Sequence, residues 1–236
     1  ICTASLTQTW RTRASQPLSA LPRTHVALDA MPPALAPDSR SAFAVATGSA
    51  DARVRKLKSQ YEPNIHGNKV WNSSWCIMDF IQQQGLPKGT RVLEAGCGWG
   101  PTGIFCAKNY GAKVLGLDAD PAVFPYLDLH AKINGVKIKT QEATFEQLKK
   151  KDLKETQLLL GADICFWDEM VDPIYKLVKK SISAGVQQVV IADPGRPPFH
   201  EMADNVIDKV GGEVKEWSVS EEVKASAYLL VVGSLL

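Results

Sequence analysis

The chain has 236 residues, 45% of them hydrophobic, and a formal net charge of +2 at neutral pH. This length and apolar content predict one globular domain with an appendage. A charge so close to neutral gives no basis for nucleic acid as a partner, and no apolar run reaches the roughly 18 residues that would predict a membrane span.

The cysteines and histidines do not predict a metal site. The five cysteines form no C-x-x-C pair, and the four histidines are scattered along the chain. Metal-ligand spacing is therefore missing. Dispersed cysteines in odd number indicate reduced thiols, so we expect an intracellular protein, with the cytoplasm as the predicted compartment.

Residues 1–55 differ in composition from the rest of the chain. They are rich in Ala, Ser, Thr and Pro, and several arginines precede the first acidic residue, Asp29. We expect a weakly ordered extension over residues 1–55 and a single domain over residues 56–236. The same composition is typical of a transit peptide, which would direct the protein to mitochondria or another organelle, and it also fits a non-native extension upstream of Met31.

Predicted strands and helices alternate after residue 56. Strands are predicted over Arg91–Ala95, Ala112–Leu117, Val136–Ala143, Ala162–Phe166, Gln187–Ala192, Glu213–Val219 and Ala225–Val232. Helices are predicted over Trp71–Gln84, Pro101–Gly111, from Asp120 with a late or kinked start, from a capping box at Thr144 and Gln147, over Asp172–Gly185 and over Pro197–Val210.

This order predicts an α/β fold of Rossmann-like type, with a seven-stranded, mostly parallel sheet and helices on both faces. Only about five residues link the last two predicted strands, which is too short for a crossover connection. The chain is therefore expected to end in an antiparallel strand pair.

A glycine-rich segment, the glycine loop, follows the first predicted strand. Glu94, Gly96, Gly98 and Gly100 form an E-x-G-x-G-x-G pattern, in which glycines allow tight turns and close approach to a ligand. Read from Gly98 to Gly103, the same segment also fits G-x-G-x-x-G, the dinucleotide fingerprint. The loop therefore predicts a nucleotide-like cofactor and leaves two cofactors open.

Three features favour S-adenosyl-L-methionine over NAD. Glu94 places a carboxylate near the cationic end of the former, whereas a pyrophosphate would be repelled by it. A predicted helix precedes the first strand, and the terminal strand pair leaves no second domain for a hydride acceptor. The hypotheses are thus a methyltransferase, an NAD-dependent oxidoreductase, and a methyltransferase-like binding protein without catalysis.

Four segments resemble the motifs of class I, seven-β-strand S-adenosylmethionine-dependent methyltransferases. They are Val92–Gly100, Gly116–Pro121, Asp163–Met170 and Ile191–Phe199. The last segment is similar to one in the protein-lysine methyltransferase group that includes the electron-transfer flavoprotein β-subunit lysine methyltransferase. The resemblance extends from roughly residue 65 to the end of the chain.

The resemblance implies roles for particular residues. The glycine loop, with Glu94, would hold the methionine part of the cofactor, and Asp118, after the second strand, would bind the ribose hydroxyls. Glu142 or Ala143, after the third strand, would flank the adenine. Trp71 matches a tryptophan that precedes the first helix in this family, and a place in the core is the alternative for it.

The resemblance also implies a methyl acceptor beside the fourth strand, most simply an amine nitrogen of a protein lysine or a small molecule. Members of the lysine group often carry Asp-x-x-Tyr there, but this chain has Trp167 where the tyrosine would fall. We predict that Trp167 attracts the cationic amine and that Asp168 or Glu169 accepts its proton. The alternative is that these two acids cap the following helix.

Arg196 is a further candidate near the acceptor. It follows the fifth predicted strand in the turn that begins at Asp193. It could bind a substrate carboxylate, or it could pair with Asp193 and fix the loop. The second interpretation is the preferred one.

Overall fold

The computed structural model describes residues 44–45, 51–64, 66–219 and 224–235. The predictions for residues 1–43, which include the transit peptide and the thiol of Cys2, lie outside this part of the chain. The four cysteines within it are unpaired and buried.

The described part contains the predicted alternation of strands and helices. The strands are β1 (Arg91–Ala95), β2 (Lys113–Asp118), β3 (Lys139–Glu142), β4 (Leu158–Ala162), β5 (Gln188–Asp193), β6 (Glu213–Ser218) and β7 (Ser226–Gly233). The helices are α1 (Ala52–Lys58), α2 (Ser73–Gln84), α3 (Pro101–Tyr110), α4 (Phe124–Ile133), α5 (Lys150–Leu153), α6 (Val171–Ala184) and α7 (Pro197–Lys209). Short 3-10 turns, Pro121–Val123 and Asp168–Met170, precede α4 and α6.

The strands form one seven-stranded sheet in the order β3-β2-β1-β4-β5-β7-β6. Strands β1 to β5 are parallel, whereas β7 is antiparallel to both β5 and β6. The predicted Rossmann-like sheet with its antiparallel C-terminal pair is therefore confirmed. The strand order reverses between β1 and β4, and open α/β sheets bind ligands at the carboxyl ends of strands at such a point.

Helices cover both faces of the sheet, as predicted. Successive side chains of a strand point to opposite faces, so Val92 packs on the side of α2 while Leu93 packs on the side of α6 and α7. The central strands are apolar on both faces because neither face meets water. This double burial holds the carboxyl ends of β1 and β4 in fixed positions.

The fourth strand lies earlier in the chain than predicted. The apolar run Leu158–Leu160 pairs with β1, and β4 ends at Ala162. Asp163 then adopts a positive φ of 54°, which takes the chain out of the sheet. The predicted strand over Ala162–Phe166 is wrong, because only Ala162 belongs to β4 and residues 163–166 lie in the loop that follows it.

The capping box at Thr144 closes a turn and does not begin a helix. The Gln147 side chain accepts a hydrogen bond from the Thr144 N–H at 2.8 Å, but the Gln147 N–H bonds back to the Thr144 carbonyl. The next helix, α5, begins only at Lys150. The hydrogen bond of the predicted box is therefore present, but the helix that it was expected to begin starts six residues later.

The predicted boundary between residues 55 and 56 falls inside α1. Asp51 caps this helix by accepting from the Arg53 N–H at 2.8 Å, and Val54 is fully buried in a cluster with Trp99 and Tyr126. Helix α1 therefore packs against the domain, which begins earlier than the composition break indicated.

The packing of α1 gives a stability prediction. Val54→Ala removes two buried methyl groups and should lower the free energy of unfolding by about 1–3 kcal/mol in urea titrations. Lys58→Ala, an exposed change on the same helix, should leave it almost unchanged. Equal stability of the two variants would show that α1 does not pack against the domain.

Candidate active site

A cavity of about 300 Å³ lies at the carboxyl ends of the parallel strands. Residues that follow β1, β2, β3 and β4 line it, together with the segment before α2. The lining residues include His66, Gly67, Lys69, Trp71, Glu94, Gly96, Gly98, Trp99, Asp118, Ala143, Phe145, Glu146, Asp163, Ile164, Phe166 and Trp167. The strand-order reversal thus coincides with the cavity.

The glycine loop forms one wall, and its glycines serve different purposes. Gly96 and Gly98 have φ of +62° and +50°. A Cβ added to Gly96 would lie 2.6 Å from Cγ2 of Ile164, so packing requires a glycine at position 96. A Cβ on Gly98 would meet no atom within 4 Å. Gly98 therefore borders open space, which suits a ligand held close to the backbone.

Asp118 lies at the end of β2, as predicted, and lines the cavity. Its carboxylate accepts hydrogen bonds from the N–H groups of Gly98 at 2.9 Å and Asp120 at 3.0 Å. Burial raises the pKa of Asp118, and these bonds oppose the rise. The carboxylate thus links β2 to the glycine loop and is held at the edge of the cavity.

Glu94 also lines the cavity and is only 3% exposed. Its oxygens accept from the Thr102 N–H at 3.2 Å, the Gly103 N–H at 3.0 Å and the Thr102 hydroxyl. Burial raises the pKa of Glu94 to about 7, although the hydrogen bonds lower it. Glu94 therefore accepts hydrogen bonds from N–H groups at the amino end of α3, which have no partner within the helix. Its role toward a cationic cofactor stays a prediction.

The third strand contributes only one of its two predicted residues. Ala143 is buried and lines the cavity, whereas Glu142 is exposed and does not line it. Phe145 and Ile164, which sequence reasoning did not select, also line the cavity. Phe145 lay in an apparent helix start and Ile164 in an apparent strand, so neither carried a signal of its own.

Four rings meet at the cavity and form what we call the aromatic cluster: His66, Trp71, Phe166 and Trp167. His66 stacks on Phe166 with ring centroids 4.6 Å apart, and Trp167 lies 5.2 Å from His66. Trp71 contacts the edge of Phe166 at 5.3 Å. Trp71 and Trp167 were predicted site residues, whereas an isolated histidine in a loop gave no signal.

Asp168 and Glu169 are not brought to the cavity. Both are exposed in the 3-10 turn before α6, and neither lines the cavity. The prediction assumed that the fourth strand ends at Phe166, but β4 ends four residues earlier, at Ala162. The intervening loop turns Trp167 to the cavity mouth, where it is 47% exposed, and leaves the two acids outside.

Arg196 joins two buried aspartates. Its guanidinium lies 2.7 Å from Asp193 and 3.0 Å from Asp163, and its carbon is 4.5 Å from the ring centroid of Phe166. Asp163 in turn accepts from the Ser73 N–H at 3.3 Å. These contacts support the loop-fixing interpretation, because the charge of Arg196 is already matched within the protein.

Hydrogen bonds fix the segment between α1 and α2 over the cavity. The indole N–H of Trp99 donates to the Gly67 carbonyl at 2.8 Å, and that of Trp71 donates to the His66 carbonyl at 3.0 Å. Tyr126 donates its hydroxyl to the Tyr61 carbonyl at 2.8 Å. His66 and Trp71 are therefore held beside the two rings that follow β4.

The described part of the chain shows neither a metal site nor a membrane-spanning helix. Within the described ranges, no group of three or more His, Cys, Asp or Glu side chains is placed to hold a metal ion. No helix in that same part of the chain is both long and apolar enough to cross a membrane.

The fold and the site together define a class. A seven-stranded sheet of this order, with a glycine loop after β1 and a carboxylate at the end of β2, is the architecture of class I S-adenosylmethionine-dependent methyltransferases.

Comparisons with known proteins agree with this architecture. The methyltransferase domain family matches residues 92–181. The electron-transfer flavoprotein β-subunit lysine methyltransferase of Xenopus laevis is 26% identical over 168 residues, which cover 69% of this chain and 66% of that protein. The protein of that name from Mus musculus is 30% identical over 122 residues, covering 50% and 46%. The matches thus span about half to two thirds of these relatives' length.

A solved structure supports the fold. The S-adenosylmethionine-dependent methyltransferase from Aquifex aeolicus superposes with a TM-score of 0.52 at 17% identity, covering 75% of this chain and 96% of that one. This superposition shows the fold, and the match over residues 92–181 identifies that part of the chain as similar to a methyltransferase domain. The cofactor that this similarity implies is S-adenosyl-L-methionine. The open space at Gly98 and the carboxylate of Asp118 fit it, and these two residues would hold it.

Gly98 allows a sharp test of cofactor binding. Gly98→Ala should weaken S-adenosylhomocysteine binding at least about tenfold by calorimetry, equal to about 1.4 kcal/mol, because a methyl group would occupy ligand space. NAD should not bind to the unaltered protein.

The matched control is Gly135→Ala. Gly135 also has a positive φ, +71°, and open space at its Cβ, but it does not line the cavity. Both variants should lose about 1–2 kcal/mol of stability from backbone strain. Equal S-adenosylhomocysteine affinity in the two variants would contradict the assignment of Gly98.

Burial of Glu94 predicts a pH dependence of stability. Its folded pKa, about 7, exceeds the ordinary value of 4.5, so the folded state retains a proton that the unfolded state releases. The free energy of unfolding should therefore fall between pH 4.5 and 7, by at most about 1.4 kcal/mol per pH unit from this group.

In Glu94→Gln, the part of this fall in the free energy of unfolding that is due to Glu94 should be absent, as measured by urea titrations at a series of pH values. Glu142→Gln, which alters an exposed carboxylate at the end of β3, should keep it. A slope unchanged in Glu94→Gln would show that the carboxyl is ionised throughout this range.

Proposed function

We propose that this protein transfers a methyl group from S-adenosyl-L-methionine to an amine nitrogen, with a protein lysine as the preferred acceptor. The observation that carries the proposal is the aromatic cluster at the mouth of the cofactor cavity. Ring faces attract cations by about 0.5–1 kcal/mol at exposed sites and by about 2 kcal/mol when desolvated. An alkylammonium ion is therefore the acceptor that this surface would recognise best.

The bound cofactor supplies an electrophilic methyl group on a sulfonium. The protein's part is to align the acceptor nitrogen with that methyl group and to exclude water around it. Phe166 and Trp71 are fixed by their contacts with Arg196 and with the His66 carbonyl. Rings held in this way orient an acceptor without losing much side-chain entropy when it binds.

The acceptor amine must lose its proton before it can attack. An ordinary lysine has about one neutral molecule in a few thousand at pH 7. Contact with Phe166 and Trp167 removes water from the ammonium and thereby raises the neutral fraction. Since Asp168 and Glu169 lie outside the cavity, the proton would pass to water at the exposed edge of Trp167 and not to either of these two carboxylates.

The preference for a protein lysine rests on the relatives whose names specify that acceptor. Counted from Asp163, the tyrosine of the Asp-x-x-Tyr pattern falls on Phe166 and not on Trp167 as expected from the sequence, and an aromatic ring is kept at either position. A small-molecule amine is the other acceptor of the same chemistry. The comparisons do not favour an NAD-dependent oxidoreductase or an inactive binding protein.

Trp167 gives the test of this function. With tritiated S-adenosylmethionine and a panel of lysine-containing proteins and small amines, methyl transfer should be found on nitrogen. Trp167→Ala should lower kcat/KM for the acceptor by about two- to thirty-fold, which corresponds to about 0.5–2 kcal/mol. Trp167→Phe should retain most of the rate.

The neighbouring Asp168→Asn is the matched control, and its rate should equal that of the unaltered protein. The affinity for S-adenosylhomocysteine should be similar in all three variants. Methyl transfer to oxygen alone, or a rate loss in Asp168→Asn equal to that in Trp167→Ala, would contradict the proposed acceptor site.

A further inference from the structure

We propose that Lys69 is itself a methyl acceptor, so that the protein methylates its own chain at the mouth of its active site. The inference rests on the proposed function. Lys69 lines the cofactor cavity, and its Nζ lies 4.0 Å from the centroid of the Trp71 ring. A lysine ammonium of this chain thus occupies the aromatic surface on which an acceptor amine would be expected.

The charges around the cavity favour an ammonium at this place. Among the described residues that line the cavity, Lys69 is the only lysine or arginine, whereas Glu94, Asp118, Glu146 and Asp163 carry carboxyl groups. Arg196, the nearest other cation to the rings, is already paired with Asp163 and Asp193. No other cationic side chain in the described cavity wall competes for the same ring face.

The backbone on both sides of Lys69 is anchored. The Gly67 carbonyl accepts a hydrogen bond from the Trp99 indole N–H. The Trp71 indole N–H donates to the His66 carbonyl, which fixes the Trp71 ring. A side chain tethered so closely has an effective concentration in the millimolar range or above at a nearby site. Lys69 would therefore meet the reactive methyl group before a dilute free acceptor does.

The reaction needs no additional reagent. The exposed Lys69 ammonium loses one proton to water, and its Nζ lone pair forms a bond to the methyl carbon of the cofactor. The carbon–sulfur bond breaks as the new bond forms, and its electron pair stays on sulfur. The products are methylated Lys69, S-adenosylhomocysteine and one released proton.

Mass spectrometry of the full chain tests the proposal. After incubation with S-adenosylmethionine, the added methyl groups should map to the peptide that contains Lys69, and Lys69→Arg should abolish them. Lys58→Arg is the matched control, because Lys58 is exposed, lies nearby in the chain and does not line the cavity. It should leave methylation of Lys69 unchanged.

The dependence on protein concentration tests the tether. The fraction of Lys69 methylated per unit time should be the same over a hundred-fold range of protein concentration, since the reaction is intramolecular. A rate proportional to concentration would mean transfer between molecules and would overturn the proposal.

A second measurement is independent of activity. The lysines can be dimethylated chemically with ¹³C-formaldehyde, and the Lys69 signal identified by its absence in Lys69→Arg. The methyl signal of dimethylated Lys69 should lie upfield of the methyl signals of the other lysines, because the Trp71 ring current shields it. The methyl signal of Lys58, identified by its absence in Lys58→Arg, should show no such upfield shift. An undisplaced Lys69 signal would contradict the placement of the ammonium.

The outcomes separate this proposal from the proposed function. If S-adenosylhomocysteine binds and an amine acceptor is methylated while Lys69 is not, the inference about Lys69 is wrong and the proposed function stands. If S-adenosylhomocysteine does not bind and no methyl transfer occurs, both fall.

Discussion

Two buried aspartates at the carboxyl ends of adjacent strands share one arginine, and the acceptor side of the cavity depends on this arrangement. Asp193 is fully buried and Asp163 is 3% exposed, so each would be costly to keep charged without a partner. Arg196 contacts both carboxylates. Burial raises the pKa of Asp193, while Arg196 and the N–H groups of its own turn lower it.

The same interaction links three structural elements. Asp163 follows β4, Asp193 ends β5, and Asp163 also accepts from the backbone of Ser73 at the start of α2. Removing Arg196 would leave two unpaired buried carboxylates, so the loop after β4 could not keep its position. Phe166 in that loop contacts the guanidinium, and the rings packed against Phe166 take their places from it.

The cofactor side was more predictable than the acceptor side, for a physical reason. β1 matched its predicted bounds because its apolar run and its following glycines are local signals. The glycine loop and Asp118 depend on single-residue properties, namely permissive backbone angles and a carboxylate after a strand. Their placement in the cavity could therefore be read from consecutive residues.

The incorrect predictions for the fourth strand and for the two acids that follow it have a different cause. The run Leu158–Phe166 is apolar on both sides of Asp163, so its pattern did not indicate where the strand ends. The end is set by pairing with β1 and by the positive φ of Asp163, both of which are tertiary features. This shift of the strand removed Asp168 and Glu169 from the site and brought in Ile164. His66 is held at the cavity by contacts that include the hydrogen bond from Trp99, a residue in another part of the chain, to the Gly67 carbonyl.

The aromatic cluster combines residues inside the family match with residues outside it. The methyltransferase domain match covers residues 92–181, which supply the glycine loop, Asp118 and the loop after β4. His66, Lys69 and Trp71 come from the segment before α2, which lies outside that match and is fixed by hydrogen bonds to Trp99 and within itself. Under the proposed function, the shared fold would hold the methyl donor, whereas the aromatic cluster, built from this segment and the loop after β4, would determine which acceptor can approach it.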